Sequence, residues 1–208
     1  MIRNRLRQAL AFAIFIITIA LSTGCTFQKL PPMEVYAIDP GWSQYDPAQR
    51  VKKSEVIIQI APVRGSDAFS TNDILYTDKR HRQQSYAFSR WRDTPIRSMQ
   101  TVLEVTLEKC GLFRAVLPPT SVSRADLLLE STIFEFGHLF AEDGSSKGVV
   151  RMRVHLVDNA SKRVVASKEL VAMMEVVTTD ASGATAAINQ AALSVASDLV
   201  IWLGAVTK

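Results

Sequence analysis

GVVRMRVHLVD, residues 148–158, alternates without a break. Val150, Met152, Val154 and Leu156 fall on one side. Arg151, Arg153 and His155 fall on the other. A period of two marks a strand with one buried and one wet face. NASK, 159–162, supplies a turn, and RVVASKELVAMMEVV, 163–177, returns as the hairpin partner. Just upstream, SRADLLLESTIFEFGHLF, 123–140, reads as a long strand rich in apolar and aromatic residues.

The segments around this sheet change period. In residues 180–206 the residues Ala184, Ile188, Ala191, Val195, Leu199, Trp202 and Val206 recur every three or four positions, which predicts a helix. Asp198, Asn189 and Gln190 lie inside it, and an acid near a helix centre costs about 2.5–3.5 kcal/mol on membrane insertion. The helix is therefore expected on the sheet rather than across a bilayer. Residues 94–110, TPIRSMQTVLEVTLEKC, give a second helix through Ile96, Met99, Leu103, Leu107 and Cys110. Thr94 or Asp93 can cap it, Pro95 suits its first position, and Gly111 suits its end.

Shorter strands are expected at 33–39, 54–65, near Ile74–Tyr76 and Ser85–Ser89, and at FRAVLPP, 113–119. The order strands, helix, strands, helix predicts an α+β fold: a mainly antiparallel sheet carrying two helices in a single domain, 34–208.

The N-terminus has a different logic. Arg3, Arg5 and Arg7 precede an apolar core, Ala9–Leu21, that is shorter than a stable transmembrane helix needs. It ends Leu21-Ser22-Thr23-Gly24-Cys25, which looks like a bacterial lipobox. Residues 1–24 are thus expected to be a cleaved lipoprotein signal peptide, with Cys25 carrying a diacylglyceryl group and an N-acyl chain such as palmitate. A plain transmembrane anchor with a coincidental cysteine is the other reading. Residues 25–33 make a lipidated start and short tether, which reaches about 30 Å at most.

The formal charge is +4. Three of those positives leave with the signal peptide, so a basic nucleic-acid surface is not expected. With Cys25 lipidated, Cys110 has no partner thiol, and a buried structural cysteine is preferred over a reactive one.

No catalytic constellation emerges. His81, His138 and His155 lack metal-ligand spacing. Gly144-Ser145-Ser146-Lys147-Gly148 fits G-x-S-x-G, but a nucleophile elbow joins a strand to a helix. Here the pattern joins two strands, so Ser146 is not expected to be a nucleophile. No cofactor, metal or enzymatic activity is expected. Lys79-Arg80-His81-Arg82 is the densest charge after the signal peptide. It is either a solvated turn or a contact for anionic headgroups or an acidic partner. Trp91 is either the packing anchor of the first helix or an interface residue.

PPMEVYAID, then VIIQIAPV, then ILYTD…SYAFSRW leading into the helix, then LEKCGLFRAVLPP, resembles the ABC-type transport auxiliary lipoproteins, the PqiC-like group. Tyr76, Tyr86 and Trp91 fall where that family places aromatic residues. Ile38 replaces its usual Leu, and residues 65–84 are longer and more basic than is typical. The resemblance implies a non-catalytic subunit of an MCE-type phospholipid transport system. It would dock the periplasmic MCE protein at a membrane beside an ABC transporter, with self-association allowed. Thr26, rather than Asp, follows Cys25, which in enteric-type lipoproteins favours the outer membrane facing the periplasm. Another envelope-assembly lipoprotein, such as a cell-wall synthase activator or an outer-membrane assembly partner, is the competing reading.

Overall fold

The structure is a computed structural model, and it describes Arg5 and residues 30–40 and 54–207. Cys25 and Leu21, Ser22, Thr23 and Gly24 lie outside the described residues. The chain divides into Met1–Pro32 and Met33–Lys208. The second unit carries the fold.

Among the described residues the strands are β1 (Glu34–Tyr36), β2 (Ile57–Ile60), β3 (Asp73–Thr77), β4 (Gln83–Trp91), β5 (Ala115–Leu117), β6 (Leu127–Phe140), β7 (Ser146–Asp158) and β8 (Arg163–Glu175). The helices are α1 (Pro95–Cys110) and α2 (Ala181–Val206).

β6 is the spine. One edge pairs antiparallel with β7 from Leu127↔Asp158 to Phe140↔Ser146, and β8 continues that meander. The other edge is shared. β2 runs parallel to its first part, Ile58↔Leu127 to Ile60↔Leu129. β3 runs parallel to its last part, Tyr76↔His138 and Thr77↔Leu139. Between them the register of β6 shifts at Phe134, and the chain leaves the ladder through the short 3-10 turn Asp67–Ser70. β5 joins β2 in parallel, β4 joins β3 antiparallel, and β1 joins β4 in parallel.

The sheet is therefore mixed rather than purely antiparallel, and antiparallel pairing predominates in it, as expected. The long pairings are antiparallel. The short ones are mostly parallel, because β2 and β3 are successive passes of one segment along the same edge of β6.

Both helices share one face of the sheet, and α2 packs on β6, β7, β8 and α1. Ile58, Ile60, Leu129, Ile133, Met152 and Leu156 point from the strands into the core, meeting Met99, Leu103 and Leu107 of α1 and Ile188, Val195 and Leu199 of α2. Burial of such side chains contributes roughly 1.5–3 kcal/mol each. α2 is the one helix among the described residues long and apolar enough to cross a membrane. It instead serves as the central core helix, as its internal Asp and amides led us to expect.

Local chemistry sets the helix ends. The Thr94 hydroxyl accepts from the Arg97 N–H at 3.4 Å, Pro95 occupies the first turn, and Gly111 closes α1 at φ 65. Asp180 caps α2 by accepting from the Gly183 N–H at 2.8 Å. Gly148 lets α2 lie against β7: a Cβ there would stand 2.5 Å from the Ile188 nitrogen. Cys110 is buried, and its thiol donates to the Leu107 carbonyl at 3.2 Å. Burial pushes that thiol above its ordinary pKa, so it favours the unreactive form.

Candidate functional site

Three connections meet at one end of the sheet. β3 ends there and turns into β4, β6 turns into β7, and β8 leads to the start of α2.

The turn between β3 and β4 is built on Asp78. Its Oδ1 accepts from the backbone N–H groups of Arg80 (2.8 Å) and Arg82 (2.9 Å). Its Oδ2 accepts from Arg82 Nε at 2.8 Å and pairs with Arg82 Nη2 at 2.7 Å. The Arg82 N–H foremost, then the Arg82 side chain and the Arg80 N–H, hold the Asp78 carboxyl below its usual range. His81 sits in the left-handed region at φ 61. The basic cluster read from the sequence is thus smaller than its spelling. Arg82 is neutralised locally, while Lys79, Arg80 and His81 project from a braced turn.

Trp91 takes a different place. It is only 2 % exposed and meets Phe136 edge-on at 5.8 Å between centroids. Its backbone N–H donates to the Asn72 carbonyl at 2.7 Å, and the Asn72 side chain donates back to the Trp91 carbonyl at 2.9 Å. An interface role for Trp91 is therefore corrected: its ring belongs to the core.

Beside the turn lies an aromatic group that sequence reasoning did not assemble. Tyr76 and Tyr86 stand 5.2 Å apart, Tyr76 meets Phe140 edge-on at 5.9 Å, and His138 lies 4.2 Å from Phe140. The Tyr86 hydroxyl and His138 Nδ1 share a hydrogen bond of 2.7 Å. His138 Nε2 is buried with no partner among the described residues. Burial, with Asp180 and Tyr76 adding to it, pushes the Tyr86 hydroxyl up to about 12. Burial holds the His138 imidazole below its ordinary value, and Asp180 opposes this in part. The alternation in EFGHLF, 135–140, already put Phe136, His138 and Phe140 on one side. Their partners on β3 and β4, some fifty residues earlier, had no local signal.

Two adjoining clefts open on this group and share Tyr76 and Phe140. One, of about 360 Å³, is completed by Ser85, Tyr86, Ala87 and Thr179. The other, of about 310 Å³, is completed by Asp78, Lys79, Ala141, Glu142 and Gly144. On the opposite, helix-free face a smaller groove of about 200 Å³ sits where β6 changes partner, with Phe134, Gly137 and Leu139 along it. Nearby, Arg151 bridges Glu135 and Glu169 at 3.1 and 2.7 Å, and Arg153 lies 5.2 Å over the Phe134 ring.

Ser146 begins β7, is buried, and is followed by strand rather than helix. His138 and His155 are hydrogen-bonded to Tyr86 and Ser167. Among the described residues no group of three His, Cys, Asp or Glu side chains could hold a metal ion.

The sequence model described as the ABC-type transport auxiliary lipoprotein component matches residues 38–200. The chain belongs to that family. No curated protein matches it significantly in sequence. In structure, the auxiliary lipoprotein is similar to protein XCC0632 from Xanthomonas campestris, with a TM-score of 0.73 at 19% identity over 83% of this chain and 96% of that one. It is also similar to the hypothetical protein CT253 from Chlamydia trachomatis, with a TM-score of 0.54 at 9% identity over 74% and 98%. At such identities the likeness concerns the fold. Family membership makes the auxiliary lipoprotein an accessory component of ABC-type transport, associated with the cell envelope.

Proposed function

We propose that this chain is the non-catalytic lipoprotein subunit of an MCE-type phospholipid transport system. It is held by acyl chains on Cys25 and docks the periplasmic MCE protein at the outer membrane. The family match over 38–200, which spans nearly the whole folded domain, carries this reading. The lipobox-like Leu21–Cys25 stretch stands just before that domain, and one acyl chain alone would hold only marginally. The domain's contribution is binding rather than bond chemistry.

The test is affinity purification from crosslinked membranes with Cys25 intact, followed by mass spectrometry. Recovery of an MCE protein with ABC transporter subunits is expected. Recovery of a peptidoglycan synthase or an outer-membrane assembly protein in their place would overturn the reading. Self-association would appear as crosslinks between identical peptides. Cys25→Ala should release the protein or leave an uncleaved precursor. A matured, membrane-retained variant would refute the anchor.

A further inference from the structure

We infer that the aromatic clefts at the loop end of the sheet receive the headgroup region of a zwitterionic phospholipid. This rests on the transport reading above and adds to it that the auxiliary subunit touches lipid directly.

The first argument is direction. β1 runs parallel to β4 with Glu34 opposite Ser89. Residues before Glu34 therefore lead toward the Gln83 end of β4, where the clefts open. The chain joins the domain there through Met33, which is 51% exposed. Only seven residues, 26–32, lie between that point and Cys25, a reach of about 30 Å at full extension. An anchor on Cys25 keeps this end close to the bilayer. Val35 and Phe88, on the neighbouring strands β1 and β4, are exposed apolar residues.

The second argument is charge. Most charged groups around the clefts are satisfied internally. Asp78 is bound to Arg82, Asp143 accepts from the Ser145 N–H and hydroxyl, Asp180 caps α2, and Lys147 pairs with Glu175. Two lining charges make no ion pair among the described residues: Lys79 on one turn and Glu142 on the next. They have opposite sign and flank Tyr76 and Phe140. A ligand with one phosphate, one ammonium and an apolar body matches all of these at once. Phosphate meets Lys79, and ammonium meets Glu142 and the aromatic faces. The glycerol and first methylenes lie along Tyr86, Ala87 and Thr179. The volumes fall at the low end of small-molecule sites, which suits a headgroup rather than a whole lipid. An anionic lipid with no ammonium would leave Glu142 facing negative charge.

The experiment uses the full chain, matured in cells and reconstituted in phosphatidylcholine vesicles with a trace of phosphatidylcholine carrying a diazirine near the glycerol. Irradiation and peptide mass spectrometry locate the adducts. Adducts on Tyr76, Tyr86, Ala87 or Phe140 are expected. Lys79→Glu should lower them by about tenfold or more, the loss of a charge-assisted hydrogen bond to phosphate. Glu142→Lys should lower them as well, and both variants should keep the wild-type circular dichroism. Adducts restricted to the 25–33 stretch would overturn the inference. So would equal labelling of the folded variants, or labelling that appears only when phosphatidylglycerol replaces phosphatidylcholine. Crosslinks to a protein segment filling the cleft would overturn it too. Capture of transport partners is read separately on the same material. A missing lipid adduct with partners retained refutes the cleft, and lost partners refute the transport reading.

Discussion

The Tyr86 hydroxyl lies 2.7 Å from His138 Nδ1, joining β4 to β6 across fifty-two positions of sequence. It is a polar link in a mostly apolar layer, so its loss leaves a ring nitrogen without a partner. Tyr86→Phe should destabilise the domain by about 1–3 kcal/mol, the desolvation cost of an unpaired buried polar atom. Urea unfolding measures this. An unchanged midpoint would show that the bond contributes nothing.

The same histidine gives the domain a pH dependence. Burial lowers the folded pKa of His138 below its ordinary 6.5. As pH falls through the ordinary value, the unfolded chain takes up a proton that the folded one still refuses. Stability is therefore lost from about pH 6.5 downward until the lowered folded value is passed. His138→Gln should flatten the melting temperature between about pH 7 and pH 5. Parallel curves for the two proteins would refute this.

Two glycines should respond in opposite directions. Gly148→Ala places a Cβ 2.5 Å from the Ile188 nitrogen and 2.6 Å from the Ala187 carbonyl carbon, so α2 must move off β7. A loss of about 1–3 kcal/mol is expected from such overpacking. Gly204, also in α2, has open space at its Cβ position, and Gly204→Ala should stabilise by about 0.5–1 kcal/mol. Denaturant midpoints of the same sign in both variants would contradict the packing described.

Trp91→Ala should cost about 3–5 kcal/mol, as for other buried aromatics. At a temperature where the variant is still folded, it should retain its captured partners. Lys79→Glu, on an exposed turn, should change stability by no more than about 0.5 kcal/mol. If Trp91→Ala abolishes capture while its melting temperature is unchanged, the core assignment of Trp91 is wrong.

Thr94→Ala removes the acceptor for the Arg97 N–H and should cost about 1 kcal/mol. Thr94→Ser should restore most of it. Equal melting temperatures for all three proteins would refute the cap.

The cap of α1 was legible because Thr-Pro at the start and Gly at the end are local chemistry. The β7–β8 hairpin was legible because alternation on each strand and a polar turn between them suffice. β2 and β3 were legible as strands, but their parallel pairing was not. Pairing depends on which distant strand offers a free edge, and β6 offers one edge twice. The register shift at Phe134 that accompanies the handover carries no turn residue to announce it. The braced turn was half legible. Asp78 and Arg82 are four apart, and the density of positive letters drew attention from the acid that neutralises one of them. The aromatic site escaped because its members come from β3, β4 and β6, and only the sheet order brings them together.

β6 is also a matter of timing. A chain synthesised from its N-terminus delivers β2 and β3 before the strand they both need. The β3–β4 hairpin can form early because its contacts are local, whereas β2 keeps an open edge until residues 127–140 arrive. Non-local parallel pairing is slow, and unpaired strand edges invite aggregation while it is awaited. The half-made chain, with the β6-facing edge of β2 still unpaired, is thus the form most open to edge-to-edge association.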